Sequence, residues 1–219
     1  MLPVNEWFET IQGEATFTGT PAVFIRLQGC PVGCGWCDTK HTWEVDFTRS
    51  VPVPMMFSKT QDLDTFSYMS VSEIVRKLND YKSQHVVITG GEPCMHDLWR
   101  LTHAIEAMGR TVQVETSGTF PIKVTDGTFV TVSPKLDMPG GREVLDEALD
   151  RANEIKYPVG KQADIDKLQE RIIPKLDEDA IIWLQPLSQS KSATALCVKA
   201  ATENDWLISI QTHKFIGVR

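Results

Sequence analysis

Cysteine is scarce in this chain, with five in 219 residues, an odd number. That excludes a disulfide-stapled scaffold and suits reduced thiols or metal ligands. No run of 18 or more apolar residues occurs, so no segment is expected to span a bilayer. The start, MLPVNEWFETIQGE, is acidic and lacks a basic stretch leading into an apolar one. No signal peptide is expected, and the expected location is the cytoplasm. Internal repeats, low-complexity segments and interdomain linkers are missing too, so residues 1–219 are expected to form a single domain. Basic residues are outnumbered, 22 against 29, for a net charge of −7. This argues against nucleic acid or an anionic membrane as partner and leaves room for a local basic pocket. The rest is ordinary globular composition, 42% hydrophobic and 23% charged, in a chain long enough to bury a substantial core.

Strand candidates recur along the chain: AVFIRLQ (22–28), VVITGGEP (86–93), VQVETSG (112–118), FVTVSPK (129–135), NEIKYPV (153–159), IIWLQP (181–186) and LISIQTH (207–213). Each is β-branched or aromatic and ends in polar or breaker residues. Helical patterns lie between several of them. Ser70 with Glu73 forms a capping-box start for VSEIVRKLNDY, and LWRLTHAIEAM stops at Gly109. REVLDEALDRA, DIDKLQERI and SATALCVKAATEN carry apolar residues at helical spacing. Such alternation predicts an α/β fold with a mainly parallel sheet and right-handed crossovers. We read it as an incomplete (β/α) barrel of the TIM type with about six parallel strands, an open doubly wound sheet being the alternative. Residues 45–69 fit neither pattern and read as an irregular insertion.

Polar residues punctuate the strands mostly at their C-terminal ends: Thr89, Thr116, Ser117, Ser133, Lys135, Gln185, Gln211 and His213. In parallel α/β folds that rim is where sites are built.

The densest signal is GCPVGCGWCDTKH (29–41), which places Cys30, Cys34 and Cys37 within eight positions. Three thiolates so spaced can converge from one loop. A structural zinc site wants four protein ligands, and His41, Cys94 and His96 offer no paired arrangement for the fourth. An iron–sulfur cluster also takes four thiolates as a rule. With three, a cubane cluster keeps one iron open to an outside ligand. Cys94 and Cys197 read as structural thiols, the latter on the apolar face of a helix.

Cys30-x3-Cys34-x2-Cys37, with Trp36 before the last cysteine and GGEP (90–93) after a later strand, resembles the radical S-adenosylmethionine (SAM) superfamily. The resemblance implies a radical SAM core with a 4Fe–4S cluster on the three cysteines. SAM would chelate the open iron and, on one-electron reduction, yield a 5′-deoxyadenosyl radical that removes a substrate hydrogen atom. Further stretches, FETIQGEA (8–15), FIRLQGCPVGCGWCDT (24–39), ETSG, VSPK (132–135), LQP and SIQTHK (209–214), are similar to the 7-carboxy-7-deazaguanine synthase family (QueE), in its enterobacterial form. That family converts 6-carboxy-5,6,7,8-tetrahydropterin to 7-carboxy-7-deazaguanine with loss of ammonia, on the route to queuosine. The resemblance further implies a pterin substrate, Mg2+, a homodimer and a flavodoxin- or ferredoxin-type reductant.

Residue roles follow from the same resemblance. Gly91 and Glu92 would meet the methionine moiety of SAM. Ser117, Ser133, Pro134 and Lys135 would meet its ribose and carboxylate region, and Gln185, Pro186, Ser188 and Trp36 its adenine. Lys135 has an alternative, pairing with Asp137. For the substrate, Ile11, Gln12, Gly13 and Glu14 would read the ring edges, and Arg26 offers a forked cation to its carboxylate. Thr89 and His213 would add polar contacts from strand ends. Thr39 is the candidate Mg2+ ligand, with Asp38 as competitor. No protein side chain is assigned as catalytic, because the radical comes from the cofactor. Two departures stand out: Ala15 where the family has glycine, and the ending KFIGVR. Rival readings are an activase that installs a glycyl radical on a partner protein, and a non-enzymatic iron–sulfur or zinc module.

Overall fold

Alternation along the strands sets the architecture. In the computed structural model, which describes residues 1–218, the strands form one mixed sheet in the order β3-β1-β2-β4-β5-β6-β7-β8-β9. They are β1 (Leu2–Ile11), β2 (Pro21–Leu27), β3 (Ser67–Met69), β4 (His85–Gly90), β5 (Thr111–Thr116), β6 (Phe129–Val132), β7 (Glu154–Val159), β8 (Ile181–Pro186) and β9 (Leu207–Ile208). β2 and β4 through β9 run parallel, and β1 is antiparallel to both β2 and β3. Helices α1 (Val53–Phe57), α2 (Val71–Leu78), α3 (Trp99–Glu106), α4 (Asp146–Asp150), α5 (Gln162–Arg171), α6 (Lys191–Asn204) and α7 (Thr212–Ile216) fill the connections. Arg219, the last residue of KFIGVR, lies outside the described residues.

The outer face of the parallel strands is apolar and covered by helices. Val23, Ile25, Ile88 and Val114 pack with Ile74 and Leu78 of α2 and Leu101 and Ile105 of α3. Val132, Ile155, Val159 and Leu184 pack with Ile165 and Leu168 of α5 and Cys197 of α6. The intervening residues face inward and are of mixed character, apolar at Phe24 and Val87 and polar in much of β5 to β7. His85 Nε2 meets Gln113 Oε1 at 3.1 Å, and Gln113 Nε2 donates to Thr131 Oγ1 at 2.8 Å. Thr131 in turn donates to Glu154 Oε1 at 2.7 Å, and Thr16 Oγ1 donates to Glu154 Oε2 at 2.5 Å. This buried chain of hydrogen bonds closes the N-terminal end of the barrel, where Phe17 from the loop after β1 packs on His85 and Phe129. Each polar group there has a partner, so burial carries little desolvation cost.

Two elements depart from the sequence reading. β1 is a ten-residue strand that the alternation rule misses. A register irregularity between Val4 and Glu6 changes the parity of the strand. Leu2 and Val4 before it and Trp7 after it therefore reach the same apolar cluster. The stretch 207–213 is not one strand: β9 ends at Ile208, and Thr212 and His213 begin α7. The chain turns because Thr212 N–H donates to Gly13 O at 2.9 Å, tying it to the loop after β1. His213 therefore belongs to a helix and does not end a strand. Residues 45–69 are only partly irregular. They contain α1, whose Phe57 packs edge-on against Trp7, and β3, which covers the edge of β1. Both are too short for periodicity to register. Among the described residues, no helix is long and apolar enough to cross a membrane.

Candidate active site

The loops at the C-terminal ends of the parallel strands and the loop after β1 enclose a cavity of about 440 Å3. Every candidate residue named above except Pro134 lines it. Pro134 is buried between Ser133 and Lys135 and takes no part in the lining.

The cysteine loop leaves the end of β2 and is tied down from two sides. Gly29 and Cys30 donate their N–H groups to the carbonyls of Thr42 and Trp43, at 2.7 and 2.9 Å. Buried Gln28 donates to the carbonyls of His41 (3.0 Å) and Glu44 (2.6 Å), closing the loop into a ring. On the other side lies GGEP: Gly91 N–H donates to Leu27 O and Glu92 N–H to Gly29 O. A Cβ on Gly91 would lie 2.1 Å from Gly29 O, so only glycine permits this approach. GGEP and the cysteine loop are therefore one packed unit. The Glu92 carboxylate is buried and accepts from Cys94 N–H (2.9 Å), Thr116 Oγ1 (2.6 Å), Ser117 N–H (2.7 Å) and Ser117 Oγ. It is spent on holding the end of β5.

Cys30, Cys34 and Cys37 are free thiols close enough to feel one another's charge. Burial pushes Cys30 up to about 11, and raises Cys34 in spite of the nearby Lys135 ammonium. Metal binding at such thiols would displace their protons. Their spacing speaks against one zinc ion. Sulfurs on a tetrahedral zinc lie about 3.8 Å apart, given Zn–S bonds of about 2.3 Å. Among the described residues, a trio of His, Cys or carboxylate ligand atoms all within 4.8 Å of one another occurs at Glu6, His41 and Asp62, not at the three thiols. Wider spacing on a wall open to the cavity suits a cluster. Trp43 Nε1 donates to Cys37 Sγ at 3.4 Å, and Thr39 Oγ1 lies 3.5 Å from the same sulfur.

Much of the remaining lining is charged. Arg26 stands in register with Thr89 on neighbouring strands, so both side chains share the inner face. Arg26 Nε donates to buried Glu6 Oε2 at 2.8 Å, which fixes the guanidinium and leaves its terminal nitrogens to the cavity. Lys135 donates to Ser133 O at 2.9 Å and to Ser133 Oγ, while Asp137 pairs with Lys167 and Arg171. The Lys135–Asp137 alternative is thus not what forms. His213 packs on the loop after β1: a Cβ on Gly13 would lie 2.2 Å from His213 Nδ1. Burial lowers the His213 pKa against the pull of Glu14, favouring the neutral ring. Ser188, in the turn after β8, has φ 53°, a left-handed conformation for a non-glycine residue.

Sequence reasoning passed over Glu115, Lys156 and Trp43, which also line the cavity. The signal was present for the first two: each is a charged residue at an inward position of a strand otherwise read as apolar. Lys156 Nζ bonds Glu14 Oε2 at 2.5 Å and Glu115 Oε2 at 2.8 Å. Burial alone would raise the Glu14 carboxyl. The Lys156 ammonium, with hydrogen bonds from Lys156 and Gln211, outweighs it and holds the group at about 2.

Known proteins share this arrangement. A sequence profile described as the radical SAM superfamily matches residues 24–155. The 7-carboxy-7-deazaguanine synthase of Escherichia coli (strain K12) is 50% identical over 219 residues, covering 99% of this chain and 98% of that one. The synthase of Buchnera aphidicola subsp. Schizaphis graminum is 42% identical over 221 residues, covering 99% of each. The crystal structure of QueE from Escherichia coli superposes with a TM-score of 0.92 at 50% identity, covering 96% of this chain and 93% of that one. On fold, site and sequence, the chain belongs to the 7-carboxy-7-deazaguanine synthase family of the radical SAM superfamily.

Proposed function

We propose that this chain is a 7-carboxy-7-deazaguanine synthase, converting 6-carboxy-5,6,7,8-tetrahydropterin to 7-carboxy-7-deazaguanine with release of ammonia. One observation carries the reading: three free thiols share a cavity of about 440 Å3 with Arg26, Thr89, Gln12, Glu14 and His213. That volume lies within the usual range of small-molecule sites.

Membership of the radical SAM superfamily implies a 4Fe–4S cluster and SAM. In this reading Cys30, Cys34 and Cys37 hold the cluster. When bound, these groups supply the radical that removes a substrate hydrogen atom. The protein binds, orients and shields. Gly91, Glu92, Ser117, Ser133, Pro134 and Lys135 surround the methionine and ribose portions of SAM. Pro134 would act through the turn it sets rather than by contact. Trp36, Gln185, Pro186 and Ser188 surround the adenine. Arg26 takes the pterin carboxylate, Ile11 to Glu14 and Thr89 read its ring edges, and His213 adds a neutral polar contact. Thr39 assists Mg2+, with Asp38 beside it as the alternative oxygen donor. Residues 1–219 act as one domain in a cytoplasmic homodimer, reduced by a flavodoxin or ferredoxin. These last assignments rest on the family resemblance.

Anaerobic reconstitution followed by iron and sulfide analysis tests the cluster. About four of each per chain is expected, and about one iron or tightly held zinc overturns it. Incubation with SAM, a reductant, Mg2+ and the carboxypterin should give ammonia and the deazaguanine in equal amounts; the conversion is redox-neutral, so the abstracted hydrogen atom is returned and 5′-deoxyadenosine accumulates only from uncoupled turnover. If 5′-deoxyadenosine forms only when a protein substrate is added, and no deazaguanine appears, the chain is an activase and the proposal fails.

A further inference from the structure

Lys156 projects from the middle of β7 into the barrel, directly above the buried hydrogen-bond chain that ends at Glu154. Its side chain is 5% exposed. A lysine so buried needs anionic partners, and it has two on different elements: Glu14 on the loop after β1 and Glu115 on β5. Each carboxylate is engaged a second time. Gln211 Nε2 donates to Glu14 Oε1 at 2.7 Å, and Gln12 Nε2 donates to Glu115 Oε1 at 2.9 Å. Every carboxylate oxygen in the set thus accepts one donor and retains a second lone pair. Glu14, Glu115 and Lys156 all line the cavity.

We propose that Lys156 is a positioning residue for substrate recognition. It holds Glu14 and Glu115 ionised and at a fixed separation, presenting two carboxylate acceptors to the N–H edge of a planar amino-substituted heterocycle. It does not touch the reacting atoms. This rests on the pterin reading above. The charge balance makes the lysine necessary: without it, two partly buried carboxylates would face each other and share a proton. A protonated acid would then donate where the ring edge also donates. Other charged or titratable groups around the set are His85 on β4, Glu154 on β7, Lys135 after β6, His213 and Lys214 on α7, and Asp38 on the cysteine loop. None bridges the two carboxylates.

The test compares wild type, Lys156→Met, Lys156→Arg and Lys156→Met/Glu115→Gln, each reconstituted anaerobically. Wild-type turnover of the carboxypterin comes first, because its absence would refute the functional reading and not the role of Lys156. Given turnover, Lys156→Met should raise KM at least about tenfold while kcat falls less and iron and sulfide content stay unchanged. Its KM should improve as the pH rises from 7 to 8.5, where the shared proton is lost, and wild type should be flat. The double variant removes one of the facing carboxylates and should be flat again. Lys156→Arg keeps the charge and should recover most of the KM. A Lys156→Met enzyme with wild-type KM and pH profile, but a lowered melting temperature, would make Lys156 a structural staple and overturn the proposal. Should Lys156→Met fail to fold, Lys156→Gln and Lys156→Arg decide by the same KM ratio.

Discussion

The two faces of the same strands have different tasks. On β7, Ile155, Tyr157 and Val159 join the apolar cluster beneath the helices, while Glu154, Lys156 and Pro158 point inward. On β5, Val112 and Val114 face out and Gln113 and Glu115 face in. Stability comes from burial on the outer face, at about 25 cal/mol per Å2 of apolar surface. The inner face contributes less stability and holds the charges that a ligand needs. If the two faces are separable, a substitution on one should leave the property of the other intact.

The sharpest break should come at the cysteine loop. Cys34→Ser is expected to drop product below detection and to lower iron and sulfide content. The thermal midpoint of the metal-free protein should barely move, because the loop is held by backbone bonds of Gly29 and Cys30 rather than by the thiol. Loss of the fold in that variant would show that the loop is part of the core.

Leu184→Ala is the outer-face counterpart. Leu184 is fully buried on β8. Its truncation should cost about 2–5 kcal/mol in urea unfolding, the usual range for a buried leucine, with KM unchanged in the folded fraction. On the inner face, Arg26→Ala should do the reverse. KM for the carboxypterin should rise about ten- to a hundredfold, matching about 1.5–3 kcal/mol for a charged hydrogen bond. The cluster spectrum should persist, and its disappearance would make Arg26 structural.

Much of this division was legible in the sequence, and the reasons differ by element. The parallel strands were readable because each buries one apolar face and ends in polar residues. The cysteine loop was readable because three thiols in eight positions have few bland explanations. β1 was not, because its irregularity near Asn5 breaks the period on which the reading depends. His213 was placed on a strand because Leu207, Ile208 and Ile210 suggest one, yet a turn fixed by a distant carbonyl of Gly13 ends it. Lys156 and Glu115 were passed over because a charge within an apolar strand gives no hint of which other strand supplies its partner.

Acid titration compares two carboxylates of different setting. Glu14 and Asp137 are both held at about 2. Hydrogen bonds from Lys167 and Arg171 lower Asp137, which is half exposed on the outside. For a depressed carboxylate, the stabilisation is fully present above its ordinary value and is lost as the pH falls toward the folded one. The urea midpoint should therefore fall between about pH 4.5 and pH 2. Glu14→Gln should flatten that fall visibly. Asp137→Asn should change it little, because solvent screens an exposed pair. Equal flattening by the two variants would erase the distinction between the faces.

The smallest effect concerns the loop that seals the inner face from below. Ala15 has φ 53°, a left-handed conformation disfavoured for alanine by about 1–2 kcal/mol. It is held there because its N–H donates to Ser209 Oγ at 3.0 Å and its carbonyl accepts from Thr18 Oγ1 at 2.8 Å. The next residue, Thr16, caps Glu154. Glycine would relieve the conformation but lose about 0.5–1 kcal/mol to the greater freedom of the unfolded chain. The buried methyl of Ala15 would also be lost. Ala15→Gly is therefore expected to stabilise by no more than about 1 kcal/mol in urea unfolding, with KM for the carboxypterin unchanged. A larger gain would mean that the loop stores more strain than one residue accounts for. A loss would mean that the methyl packs well enough to outweigh the left-handed conformation. A shift in KM would be the most informative result, because it would tie the conformation at Ala15 to Glu14 beside it, and so to the carboxylate that Lys156 holds.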